Sequence, residues 1–99
     1  MIDSEALLAV AKQVMSGKTV EVEGKSFRVT RTGSRRLRTV RFELGGREYQ
    51  AIEQNAEKPS QWGKLARKGH RVVQFRDLET QKYVAVVVDD KVRKYGNES

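Results

Sequence analysis

The chain has 99 residues, with twenty Lys and Arg against thirteen Asp and Glu, a formal net charge of +7. A domain of this length buries roughly 60 to 68% of its unfolded surface, enough for one core but with little room for an enclosed cofactor cavity. Cysteine is absent and His70 is the only histidine, which removes disulfides and thiolate metal sites and leaves zinc without its usual ligands.

Taken in chain order, the first element is a helix over about 4–16. Asp3 or Ser4 caps it, Leu7, Val10, Ala11 and Val14 form an apolar stripe, and Gly17 stands where a left-handed residue ends a helix. The period then changes to two, and residues 18–54 read as a β-meander. Val20 and Val22 form a first strand, Phe27 and Val29 a second, Arg38, Val40, Phe42 and Leu44 the inward set of a third, and Tyr49 to Ile52 a fourth. Gly45-Gly46 is a two-residue hairpin signal.

Residues 54–60, QNAEKPS, break the pattern, and a short helix follows over about 60–68 with Trp62, Leu65 and Ala66 on one face and Gly69 after it. Residues 71–95 supply the remaining strands: RVVQFR, KYVAVVV with apolar residues on both faces, and a last strand after the Asp89-Asp90 turn, before GNES trails off. The fold class is α+β: an N-terminal helix, then a curved antiparallel sheet or open barrel of about six to seven strands, interrupted by one short helix. All of it forms a single domain over residues 1–99.

The charge is uneven. Lys25 to Arg41 carries seven basic residues (Lys25, Arg28, Arg31, Arg35, Arg36, Arg38, Arg41) and no acid, so the rest of the chain is balanced and this one segment holds the net charge. A second acid-free stretch runs from Lys58 to Arg76 and includes Lys64, Arg67, Lys68 and Arg71. Charge confined in this way sets up a local positive field.

Arginine forks match phosphate oxygens, so the expected site for a polyanion is Lys25, Arg28, Arg31, Arg35, Arg36 and Arg41, with Lys64, Arg67 and Lys68 in support. Arg38 falls on the apolar side of its strand, either at the strand end or snorkelling, and is the arginine most suited to a structural role. Tyr49, Tyr83 and Tyr95 are candidate surface rings but are not clustered with the arginines in sequence, which favours backbone contact over base stacking. Two other readings of the same residues stand beside this one: a solvated hairpin edge, and a module that docks an acidic protein or dimerises through its sheet edges.

His70 is the one side chain whose reference pKa lies near neutrality, and beside Arg71 it has the makings of a proton-transfer group; a turn residue without a partner is the plainer reading. Asp89-Asp90 reads as a turn rather than a carboxylate pair, and no phosphate-cradling glycine loop is present. The stretch LRTVRFELGGREYQAI resembles the arginine-rich hairpin of the small basic mRNA-cleaving toxins of bacteria. That resemblance covers under a fifth of the chain and implies a compact ribonuclease, with Arg36, Arg41, His70 and a tyrosine stabilising phosphate and moving protons.

Asp3 and Glu5 stand where a signal peptide needs positive charge, and the longest apolar run, Tyr83 to Val88, is far short of the ~20 residues that span a bilayer. The sequence therefore leads to the expectation of a small basic binding domain of the cytoplasm, not an enzyme, with no cofactor and no metal, contacting nucleic acid, another polyanion, an acidic protein or its own copy.

Overall fold

Helix α1, Ser4–Ser16, begins where its cap permits: Asp3 Oδ1 accepts the Glu5 amide at 3.0 Å, and Gly17, at φ +82°, closes the far end by donating its amide to the Val14 carbonyl at 2.9 Å. The computed structural model describes residues 2–95, and the tail expected at GNES lies outside them. Two strands follow as a ribbon, β1 (Thr19–Val22) and β2 (Lys25–Arg28). Six more form an antiparallel sheet in chain order: β3 (Thr30–Thr32), β4 (Leu37–Leu44), β5 (Arg47–Glu53), β6 (Val72–Asp77), β7 (Lys82–Val88) and β8 (Lys91–Lys94). Helix α2, Gln61–Arg67, sits between β5 and β6 in sequence and lies against β6.

The chain is thus α+β, with a helix, a six-stranded sheet and a short second helix as the patterning implies. The strand expected across Phe27 to Thr30 is two strands. The chain turns a corner at Val29, whose amide donates to the Lys18 carbonyl at 2.9 Å, so β2 pairs with β1 while β3 pairs with β4. Among the described residues the main sheet has six strands, within the expected six to seven, and the two-stranded ribbon stands apart from it.

One face of the six-stranded sheet carries Val40, Phe42, Tyr49, Ala51, Val73, Phe75, Ala85 and Val87, all buried in one cluster with Leu7, Val10, Ala11 and Val14 of α1 and Val20 and Val22 of β1. Phe42 anchors it, 5.8 Å from the Tyr49 ring and 6.0 Å from Phe75 edge-on. On the opposite face Val72 and Val86 are buried too, outside that cluster, and Trp62 and Leu65 of α2 are half-buried.

Direction follows from the register. The α1 N-terminus lies beside Leu44, Gly45 and Arg47, at the end of the sheet where β4 finishes and β5 starts, and its C-terminus lies by Arg38 and Glu53 at the other end. At the first end, Asp77 is buried and takes Arg47 Nε at 3.1 Å and Nη2 at 2.7 Å, together with the amides of Glu79 and Thr80. Burial pushes the Asp77 carboxyl up, but Arg47 and the two amides outweigh it and hold it below its ordinary value. The carboxyl therefore releases its proton more readily folded than unfolded, so its stabilising effect is complete above about pH 4, the ordinary value, and fades as the pH falls below it. Asp77→Asn is expected to cost about 2 kcal/mol at neutral pH, less than a fully buried pair because Arg47 is partly exposed. Acid titration followed by circular dichroism should show native and variant stabilities converging at low pH; a constant gap between them would contradict this.

Candidate functional site

The end of the sheet where α1 terminates collects most of the basic residues singled out in the sequence. Arg35 and Arg36 stand on the turn between β3 and β4, where Arg36 takes φ +54° and its carbonyl accepts Arg31 Nη1 at 3.1 Å. From this tip Arg35 reaches Glu57, 2.5 Å away on the loop that leads into α2. The loop is in turn bound to α2. Arg67 Nη1 donates to the carbonyls of Ala56 and Lys58, Ser60 Oγ caps the helix by accepting the Gly63 amide at 3.1 Å, and Gly63 lies so close to Lys58 that an added Cβ would sit 2.1 Å from its carbonyl oxygen. The two acid-free stretches therefore meet: hairpin tip, loop and α2 are tied in one row by Arg35 and Arg67.

At this end Arg36, Lys58, Lys64, Lys68 and Arg71 are exposed, and among the described residues none of their side chains forms an ion pair. Arg35 is paired, but its bridge to Glu57 is solvent-exposed on both sides, and such pairs contribute about 0 to 1 kcal/mol and exchange readily for another anion. The opposite end is acidic by contrast: Glu23 accepts the Gly45 amide, Glu43 and Glu48 face each other across β4 and β5, and Asp77 and Glu79 share Arg47.

Each expected site residue has a definite place. Arg31, Arg35, Arg36, Lys64, Arg67 and Lys68 converge at the basic end, Arg31 and Arg67 holding backbone carbonyls there. Lys25 is elsewhere, bonded to Glu43 at 3.1 Å beside the acidic end. Arg28 is exposed on the ribbon opposite Thr19. Arg41 projects from the middle of the sheet on the face turned away from α1, where it pairs in register with Gln50.

Arg38 is half-buried on the core face. Its Nη1 donates to the Met15 carbonyl, an otherwise unpaired group at the C-terminus of α1, and its amide donates to Glu53 Oε1 at 2.9 Å. It ties helix to sheet, with only part of its side chain left to solvent.

His70, read from the sequence as a turn residue without a partner, has one. Its Nδ1 lies 2.8 Å from Asp89 Oδ2, while Asp89 Oδ1 accepts the Arg71 amide at 3.0 Å. The Arg71 amide first, and His70 second, hold the Asp89 carboxyl below its ordinary value. Asp89, at φ +57°, is a turn residue as expected. The ribonuclease candidates do not form one constellation: Arg36 stands at the hairpin tip, Arg41 on the open sheet face and His70 after α2, with no bond between them among the described residues.

The row that sequence reasoning missed crosses the open face of the sheet. Arg41 on β4 pairs with Gln50 on β5, Gln50 with Arg76 on β6, and Arg76 with Tyr83 on β7. Directly paired residues share a face, so these four side chains lie abreast.

Comparison with protein families, with curated proteins and with solved structures finds no match for this chain. Among the described residues, no helix is long and apolar enough to cross a membrane.

Proposed function

We propose that this protein is a non-enzymatic nucleic-acid-binding module that grips the sugar-phosphate backbone with the basic end of its sheet. The observation that carries this reading is the junction of Arg35 with Glu57 and of Arg67 with Ala56 and Lys58, which sets the arginine hairpin beside α2 as one cationic surface. Guanidinium and ammonium groups without acidic partners are mutually repulsive, and a polyanion relieves that repulsion while releasing its own counterions. The acidic far end opposes it, so the field is directional and would present the basic end to an approaching strand. The cytoplasm is the compartment this reading implies.

The test is the salt dependence of binding to a labelled duplex followed by fluorescence anisotropy. Engagement of about five phosphates, one for each unpaired cation at this end, gives a slope of log affinity against log salt near −4.5. Absence of binding at low salt, or affinity indifferent to salt, would remove the reading. An acidic protein partner is the competing use of the same surface, and a preference for polyglutamate over oligonucleotide at equal charge would favour it.

A further inference from the structure

Strict alternation along β7 makes Tyr83 an inward residue, because Ala85 and Val87 both face the core. The sheet does not follow it. A register shift between Phe75 and Arg76 takes Ala85 to pair with Phe75 and Tyr83 to pair with Arg76, leaving Val84 as the extra residue, packed against the core instead. A β-bulge of this kind re-aims the side chains on one side of it. Its consequence here is that Tyr83 changes face and stands on the open side of the sheet, 47% exposed, the one large hydrophobic side chain so exposed among the described residues.

The surroundings of Tyr83 are those of a stacking platform. The Arg76 guanidinium carbon lies 6.0 Å from the centre of the Tyr83 ring, within cation–π range, and Gln81 accepts a hydrogen bond from Arg76 and so fixes the guanidinium in place. In the same row stand Gln50, half-buried and donating its Nε2 to Thr39 Oγ1 at 3.1 Å, and Arg41, exposed and without an ion pair among the described residues. One row further along β8, Arg93 pairs with Val86 and is exposed as well. An aromatic ring backed by arginine and flanked by further arginines is the combination that holds unpaired bases and their phosphates together. A duplex keeps its bases stacked on each other and offers no free ring to such a platform.

Resting on the nucleic-acid reading above, we infer that the open face of the sheet binds single-stranded nucleic acid, with a base stacked on Tyr83 and the backbone held by Arg41 and Arg93. The bulge serves to present the ring, and the basic end supplies the sequence-independent grip that the two kinds of strand share. Single strands therefore gain an interaction that duplexes lack.

The experiment compares a labelled oligo-dT dodecamer with a labelled duplex dodecamer by fluorescence anisotropy, using native protein, Tyr83→Ala and Tyr83→Phe. Loss of base stacking in Tyr83→Ala is expected to weaken single-strand binding about tenfold, with duplex affinity changed less than about twofold. Tyr83→Phe, which keeps the ring, should retain single-strand affinity. Single-strand binding by Tyr83→Ala equal to native, with duplex binding intact, would overturn the inference and leave the basic end as the whole site. Failure of the native protein to bind either oligonucleotide at low salt would remove the underlying reading as well.

Discussion

Replacing Arg35, Arg36, Lys64 and Lys68 together by glutamine is expected to weaken duplex binding roughly 100-fold or more near 0.1 M salt, and to flatten the salt slope by about 0.9 for each phosphate no longer neutralised. The four side chains are exposed and lie on the hairpin tip and on α2 with its C-cap, the two parts that the loop around Glu57 joins. None is part of the core, and removing Arg35 breaks only a solvent-exposed ion pair, so the fold should survive with its thermal midpoint changed by a few degrees at most. Anisotropy titration at several salt concentrations checks the weakening. A variant that binds as tightly and with the same slope as native would mean that the phosphates are met elsewhere.

Arg38 is expected to behave in the opposite way. Arg38→Ala removes the donor that satisfies the Met15 carbonyl and the guanidinium beside Glu53, both in a partly buried setting, and should cost about 3 kcal/mol. The main chain would still donate to Glu53, which keeps the loss below that of a wholly orphaned charge. Oligonucleotide affinity, measured under conditions where the variant remains folded, should stay within about twofold of native, as befits a charge that meets no phosphate. Urea denaturation checks the first expectation and anisotropy the second. Together the two experiments divide the basic residues into four cations that bind without holding the fold and one arginine that holds the fold without binding. Unchanged stability in Arg38→Ala would contradict its assignment as the tie between α1 and the sheet.

Much of the architecture can be read locally because local chemistry determines it. The Asp3 cap, the apolar stripe at Leu7, Val10, Ala11 and Val14, and Gly17 in the left-handed region delimit α1 without reference to the rest of the molecule. Gly45-Gly46, both at positive φ, forces the β4–β5 hairpin in the same way. What escapes a reading of pattern is decided at long range. The corner at Val29 depends on the Lys18 carbonyl, and alternation runs unbroken through it. The meeting of the two basic stretches rests on a bond between Arg35 and Glu57, 22 residues apart, and the partner of His70 arrives 19 residues later on the β7–β8 turn.

The site shows the same division. The concentration of charge between Lys25 and Arg41 is plain in the sequence, yet Lys25 is neutralised by Glu43 at the acidic end, because the ribbon β1–β2 runs alongside β4 and carries it there. Tyr83 is legible only in part. That its ring can lie at the surface is legible in the sequence, but its place beside Arg76 follows from one extra residue in β7 that sets its face. Far from the arginine hairpin in sequence, this tyrosine is the one the sheet sets beside Arg76, in the row that Arg41 begins.

The measurement that bears most directly on the central claim is amide chemical-shift mapping during titration with an unlabelled duplex oligonucleotide at low salt. With a duplex, which leaves the Tyr83 row unengaged, the expected result is perturbation of the amides of residues 33–36, 56–58 and 61–71, reduced when the salt is raised, with those of Glu43, Glu48 and Asp77 at the acidic end unmoved. Shifts concentrated at the acidic end, or none at any salt concentration, would contradict the claim that the basic end is the nucleic-acid site.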